Sequence, residues 1–368
     1  METSHPFDKF RNVDLAYWSA ITPLVNRGTL PVPAPFNMTV VVTKRCNSRC
    51  TMCYIWRENE KGELSLSEFE KIFSENDFSS LTSLTLTGGE PTLRADLPKI
   101  LGIILNACPK LRQITLATSG LNTKRTVDLV QACLKMISQH EMVRRFSVQI
   151  SLDGVGALHD VIRGIPGYFD HVTKTIDLLK GLAKENKILD LKLSSTIQPA
   201  NVEAATTTRE FAREIGLPIR FGAIVFSSSY YMNTENPSIR NFTKEQSEQA
   251  EAFFSDLAEA EPGSNIKFYY RDAAKMVTGA ERSKVCMMGY YGFVLEHDGS
   301  VFACVNCEDK PLGNLLKQSF REIWWGKAAN ELRRQIRNDC CTTCASICYT
   351  LPGNVAEVMD VAFHRLLK

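Results

Sequence analysis

Short apolar, β-branched runs recur through the first two-thirds of the chain, at Met38–Thr43, Leu81–Leu86, Gln113–Thr118, Phe146–Ser151, Leu189–Thr196 and Ile219–Val225. Between them lie stretches with apolar residues at helical spacing: Ser65–Ser74, Asp96–Ala107, Lys124–Ile137, Phe169–Lys184 and Val202–Ile215. Strands alternating with helices of this length predict parallel β/α units. Continuous apolar strands such as M-T-V-V-V-T suit a sheet buried on both faces. Ser65, with Glu68 three residues on, reads as a capping box at a helix start. Six units are too few for a closed eight-stranded barrel, so the expected fold is α/β, a partial (β/α)6 TIM-like barrel left open.

Past residue 226 the pattern changes. Ser227–Asn241 is polar and loop-like, and Lys244–Glu261 is helical in spacing. The run Gly292–Cys304 alternates apolar residues on either side of Asp298-Gly299, which predicts a hairpin. Leu315–Trp325 and Lys327–Arg337 again have helical spacing. The expected division is an N-terminal arm (1–36) packing on the barrel, the barrel (37–226), a connecting segment (227–285) and a small cysteine-rich extension (286–368). Specificity is expected in the 227–241 loop and the arm.

Charge excludes some partners. The 43 basic and 41 acidic residues leave a net charge of +2, which gives no reason to expect nucleic acid or an anionic membrane. No apolar run reaches the length of a membrane span, and the start of the chain lacks a signal-peptide core. A cytoplasmic protein is expected, in which thiols stay reduced. Twelve cysteines among 368 residues then need a purpose. They cluster, three within Cys46–Cys53 and seven within Cys286–Cys348, with Cys108 and Cys133 alone on apolar helix faces. Clustering of this kind points to two metal sites rather than a disulfide framework.

Cys46, Cys50 and Cys53 are spaced C-x3-C-x2-C on the loop after the first strand. Three thiolates on one loop can hold three irons of a cubane and leave the fourth open. Zinc wants a fourth protein ligand, and none lies nearby in sequence. One strand later comes Thr87-Gly88-Gly89-Glu90-Pro91, then Thr118-Ser119-Gly120 after the third, and Ser151-Leu152-Asp153-Gly154 with Arg163 after the fourth. Together these motifs resemble the radical S-adenosylmethionine (SAM) superfamily, over roughly residues 38–225. Met52 stands where that family usually has an aromatic residue, although Tyr54 and Trp56 follow. The resemblance implies a [4Fe–4S] cluster on Cys46, Cys50 and Cys53 with SAM at the open iron. It places Tyr54, Gly88, Gly89, Glu90, Ser119, Ser151 and Arg163 at SAM, with the G-G-E-P turn receiving the amino group, Ser151 the ribose and Arg163 the carboxylate. Reductive cleavage would yield a 5′-deoxyadenosyl radical that abstracts hydrogen from the substrate.

The second group, on spacing alone, fits four-cysteine zinc as well as a cluster. With Leu312-Gly313-Asn314 between its halves, it resembles the SPASM/Twitch extension. The resemblance implies one auxiliary [4Fe–4S] cluster on Cys286, Cys304, Cys341 and Cys344, with Cys348 or Cys340 able to replace one of the last pair. Cys307 is a candidate hydrogen-atom donor. An auxiliary cluster suggests electron transfer, so oxidation or epimerisation of a small polar intermediate, sugar or aminocyclitol, is the expected reaction. With only 45 residues before Cys46, a peptide-recognition module is not expected, and peptide maturation ranks second. A non-catalytic iron–sulfur or zinc scaffold is a third reading. A reductase or flavodoxin-type electron donor is the expected partner.

Overall fold

Strands β1 (Asn37–Val41), β2 (Ser83–Thr87), β3 (Gln113–Thr118), β4 (Arg145–Ser151), β5 (Leu189–Ile197) and β6 (Ile219–Ala223) form within two residues of where the apolar runs place them. The computed structural model describes residues 21, 24–25, 27–58, 62–282, 286–306, 310–337 and 344–346. Helices α1 (Leu66–Glu75), α2 (Leu97–Ala107), α3 (Thr123–Ile137), α4 (Ala157–Arg163), α5 (Tyr168–Glu185) and α6 (Ala205–Glu214) separate the strands. Ser65 caps α1 in the expected capping box, its hydroxyl accepting from the Glu68 N–H while Glu68 returns to the Ser65 N–H. Neighbouring strands from β1 to β6 pair in parallel and in order. Each such pairing needs a crossover, which the helices supply.

The sheet has two unlike faces. Leu84, Leu86, Ile114, Leu116, Phe146 and Val148 are buried in one apolar core with the helices. The alternate residues, such as Thr85, Thr115, Gln149 and Ser194, are polar and partly exposed. The expectation of a sheet buried on both faces is therefore corrected: one face packs on helices and the other lines an open interior, as period-two alternation dictates. Cys108 and Cys133 are buried in the outer core, as expected of solitary cysteines on apolar faces.

The hairpin forms at the expected place, with Gly299 in the left-handed region at φ 86°. It is not confined to an appendage. Strand β7 (Gly292–Leu295) pairs in parallel with β1, from Asn37↔Gly292 to Val40↔Leu295. Strands β8 (Ser300–Phe302) and β9 (Gly313–Asn314) add to it antiparallel, giving a nine-stranded sheet in the order β6-β5-β4-β3-β2-β1-β7-β8-β9. Helices α7 (Lys244–Ala260) and α8 (Ile266–Met276) pack on the outer side of β5 and β6 around Ile197, Phe221 and Ala223. No helix among the described residues is long and apolar enough to cross a membrane.

The expected helix over Leu315–Trp325 shortens to α9 (Phe320–Trp324), because Ser319 and Glu322 form a capping box that starts the helix there. Helix α10 (Lys327–Arg337) follows. Phe78, Phe293, Phe320 and Trp324 stack against one another beneath β7. Buried Arg333 closes this core: its guanidinium donates to the carbonyls of Gly289 and Trp324, each at 2.7 Å, and lies 4.4 Å from the Trp324 ring. If this region is integral to the core, Trp324→Ala (0% exposed) costs about 3–5 kcal/mol, while Trp325→Ala (40% exposed) costs less than half as much. Chemical denaturation of both variants checks this; equal losses would show that the aromatic stack carries no special weight.

Candidate active site

After β1 the chain leaves the sheet into the loop bearing Cys46, Cys50 and Cys53, and three neighbours hold that loop. The turn after β2 donates from Gly89 N–H to the Thr43 carbonyl and from Glu90 N–H to the Arg45 carbonyl, both at 2.8 Å. The end of α4 accepts, with Arg49 N–H bonding the Arg163 carbonyl and Thr51 N–H that of Ile162. The 227–241 loop supplies the third hold: Tyr54 N–H donates to the Tyr231 carbonyl at 2.8 Å, and Asn233 Nδ2 donates to that of Met52 at 2.9 Å. The polar 227–241 loop is thus a clamp on the cysteine loop. Met52 fills the expected aromatic position by packing with Ile162, Ile224 and Ile239.

The two glycines of G-G-E-P answer first to this contact. A Cβ at Gly88, whose φ is 152°, would sit 2.2 Å from the Thr43 oxygen, and one at Gly89 would sit 2.3 Å from that of Arg45. Glu90 is buried and occupied. Its Oε1 accepts from Thr92 N–H, the Thr92 hydroxyl and the Thr118 hydroxyl, and its Oε2 from Ser119 N–H. Glu90 therefore joins the turns after β2 and β3, with acceptor capacity left on Oε2. Buried Tyr230 donates to the Gly88 carbonyl at 3.0 Å and packs with Val41, Ile55 and the sides of Cys46 and Cys53.

Below Cys50, the S-L-D-G turn and α4 build a charged pair. Arg163 Nη2 lies 2.5 Å from Asp153 Oδ2, and Arg163 Nη1 lies 3.6 Å from Cys50 Sγ. Asp153 is fixed by Thr196 N–H at Oδ1 and by Asn201, which donates to its carbonyl. Burial opposes the guanidinium charge, but Asp153 holds the pKa of Arg163 above its ordinary value. Burial pushes His159 down to about 4, so its neutral ring accepts from Asp153 N–H at 3.1 Å. Arg163 Nε is buried without a partner. Ser151 ends β4 on the inner face, partly exposed. Arg57 stacks over Tyr54 at 4.1 Å.

All the residues expected at SAM thus collect at the carboxyl ends of β1 to β4. Asp153, Asn201, Tyr230, Asn233 and Tyr168, whose hydroxyl lies 2.7 Å from that of Ser48 on the cysteine loop, complete the surroundings. Asp153 was visible as part of S-L-D-G, whereas Tyr168, Asn201, Tyr230 and Asn233 had no local sequence signal. Among the described residues no metal-ligand set is drawn together as a finished cage. The chemistry of the loop nonetheless fits a cationic group. Burial raises the Cys46 thiol to about 11 and the Cys53 thiol to about 12, and raises Cys50 despite Arg163. Three such thiols become ligands only where a metal compensates the charge.

Of the second group, Cys286, Cys304 and Cys344 are described, while Cys307, Cys340, Cys341 and Cys348 lie outside the described residues. Cys286 packs against both the barrel core and the α7/α8 cluster. Asn306, two residues after Cys304, reaches Cys344 Sγ at 3.7 Å, and the Ala345 carbonyl accepts from Tyr269 at 3.1 Å. The loop after β8 and the segment around Cys344 therefore meet beside α8.

A radical SAM superfamily model matches residues 40–191, and an iron–sulfur cluster-binding (SPASM) model matches residues 286–348. The chain thus carries a radical SAM domain followed by a SPASM iron–sulfur cluster-binding domain. Its two matched domains imply a [4Fe–4S] cluster with SAM, and auxiliary iron–sulfur clusters in the SPASM region. The sporulation killing factor maturation protein SkfB of Bacillus subtilis (strain 168) is 24% identical over 325 residues, covering 87% of this chain and 72% of that protein. The AdoMet-dependent heme synthase of Methanosarcina barkeri (strain Fusaro / DSM 804) is 26% identical over 368 residues, covering 90% of this chain and 97% of that protein. Among solved structures, native anSMEcpe with bound AdoMet and Kp18Cys peptide shares the fold at a TM-score of 0.59 and 18% identity, covering 91% of this chain and 98% of that one.

Two outcomes are expected. Gly89→Ala displaces the Arg45 carbonyl and so lowers iron bound after anaerobic reconstitution, read as loss of absorbance near the thiolate–iron band; full loading would refute the glycine argument. In metal-free protein, Cys46 and Cys53 are on the order of a thousandth thiolate or less at pH 8. Their alkylation by iodoacetamide should rise about tenfold per pH unit from pH 8 to 10, as base removes the proton that burial retains, and mass mapping of the labelled peptides reads it.

Proposed function

We propose that this chain is a radical SAM peptide maturase, which modifies a peptide through hydrogen-atom abstraction. The observation that carries the reading is the match to a maturation protein over 325 residues, 87% of this chain. It displaces the expected sugar or aminocyclitol substrate in favour of the reading ranked second from sequence. The same architecture also serves a heme synthase, so architecture by itself does not name the substrate. An open interior bounded by β6, the edge strand among the described residues, suits an extended chain better than a closed barrel would.

The cofactor roles follow from the geometry. Cys46, Cys50 and Cys53 would hold the [4Fe–4S] cluster. Arg163, with Nε unpartnered and its charge secured by Asp153, would take the SAM carboxylate. Gly88, Gly89 and Glu90 would receive the SAM amino group, with Oε2 of Glu90 as acceptor. Ser119 and Ser151 would face the nucleoside, and Tyr54 would border the site. When bound, the group supplies one-electron cleavage of SAM and the 5′-deoxyadenosyl radical. The protein's own part is to keep the cysteine loop rigid through Tyr230, Asn233 and Glu90 and to exclude water with the packing around Met52. Cys286, Cys304, Cys341 and Cys344, with Cys348 or Cys340 as a substitute, would hold auxiliary iron, and Cys307 would be the thiol to test as a hydrogen-atom donor. A flavodoxin-type reductant in the cytoplasm would supply electrons.

The test is anaerobic incubation of the reconstituted protein with SAM, dithionite and synthetic peptides encoded by short reading frames beside the gene. A peptide mass change that accompanies 5′-deoxyadenosine supports the reading. 5′-Deoxyadenosine with every peptide unchanged, but with a sugar or tetrapyrrole altered, overturns it. The triple variant Cys46→Ala, Cys50→Ala, Cys53→Ala should form no 5′-deoxyadenosine yet keep about four irons or more per chain; continued cleavage by that variant would sink the ligand assignment.

A further inference from the structure

A group of charges inside the barrel takes no part in the site described above. Arg145 on β4, Asp190 and Lys192 on β5 and Arg220 on β6 fall in the alternation that faces the interior. Asp190 Oδ2 lies 3.2 Å from Arg145 Nε and 3.2 Å from Lys192 Nζ, and accepts from the Ser147 hydroxyl at 3.0 Å. Arg220 stands opposite Ser194 in the β5–β6 register, one inward step from Lys192. Two cations therefore share the one carboxylate of Asp190, and Arg220 adds a third positive charge close enough to act on Lys192. Inward residues on the flanking positions, Gln113, Thr115, Gln149 and Ser194, are uncharged.

Two of the three cations are withdrawn from solvent, and Arg220 is exposed beside them. The side chains of Lys192 and Arg145 are only 17% and 21% exposed. Burial first, then Arg220, pushes Lys192 down to about 8, which still leaves it charged at neutral pH. With two half-buried cations on one carboxylate, one positive charge is in excess there, which is costly unless an anion arrives to match it. The site also stands at a useful depth. Four residues along β5, about 13 Å, separate Lys192 from Thr196, whose N–H bonds the Asp153 partner of Arg163.

We propose that Arg145, Lys192 and Arg220, set against Asp190, form an anion site on the inner wall that takes a carboxylate of the substrate. The proposal rests on the maturase reading in one respect: the carboxylate then belongs to an acidic side chain or to the C-terminus of a peptide. Two guanidinium forks suit a carboxylate geometrically. Arg220 lies exposed on β6, the edge strand of the sheet, where such a group enters. Held there, it would anchor the peptide about 13 Å below the mouth and so select which residue meets the radical.

The experiment measures binding of three short probes to the reconstituted full chain with SAM, by calorimetry at low ionic strength. The probes are acetyl-Ala-Glu-Ala-amide, acetyl-Ala-Gln-Ala-amide and acetyl-Ala-Ala-Ala with a free C-terminal carboxylate. A carboxylate-bearing probe should bind about tenfold tighter than the glutamine probe, and the tighter of the two acids identifies the source. That preference should fall with added salt. It should drop about fivefold in Arg220→Gln and in Lys192→Gln, and persist in Lys192→Arg, with thermal melting as the check on folding. Equal binding of the three probes, or a preference indifferent both to salt and to the glutamine variants, overturns the site. The readout needs no SAM cleavage. A peptide-modifying enzyme blind to the carboxylate thus defeats only the anion site, and a carboxylate preference in an enzyme that modifies no peptide defeats only the maturase reading.

Discussion

The approach of the Gly88-Gly89 turn to the carbonyls of Thr43 and Arg45 sets the shape of the barrel mouth. Either glycine, given a methyl group, would press within 2.3 Å of a carbonyl oxygen. Because that contact is made by backbone, the cysteine loop takes its course from β2 rather than from its own side chains. Glu90 then carries the constraint to the turn after β3 through Thr118 and Ser119. Arg163 carries it to β4 and β5 through Asp153. Five consecutive strands, β1 to β5, are tied together by these polar contacts, with Arg163 Nε left over for a further partner.

Much of this was legible in the residues. The β/α alternation placed six strands and their crossovers, since hydrophobic period distinguishes strand from helix where segments are long and regular. The mouth was legible because its motifs each need a rare residue at a fixed place. What stayed hidden was relational. Nothing local marks Tyr230 or Asn233 as holding the cysteine loop from about 180 residues away. Helix α8 is hard to foresee because Lys267 and Asp272 interrupt its apolar side in the sequence yet are buried, leaving Arg271 and Lys275 as its exposed polar face. The two-faced sheet was misread from strands such as M-T-V-V-V-T, in which threonine passes for a core residue although it faces the interior.

That polar interior separates this architecture from the packed core of a closed barrel, whose inward side chains interlock in layers. Here the hydrophobic free energy comes from the outer face, between strands and helices, which leaves the inner face available for recognition. Stability and specificity therefore reside on opposite sides of the same strands, and inward residues can change without unmaking the fold.

The pairing of β7 with β1 has a consequence for how the chain can be divided. With the C-terminal part in place, the strand that leads into the cysteine loop is flanked on both sides, by β2 and by β7. A fragment ending before Gly292 would strip one flank and leave β1 as a raw edge of unpaired amides and carbonyls beside an apolar face. Such edges recruit other strands, so the isolated barrel would be prone to self-association at its most sensitive strand. The cysteine-rich region thus acts as a sheet terminator, and the two cofactor-bearing halves are inseparable by simple truncation.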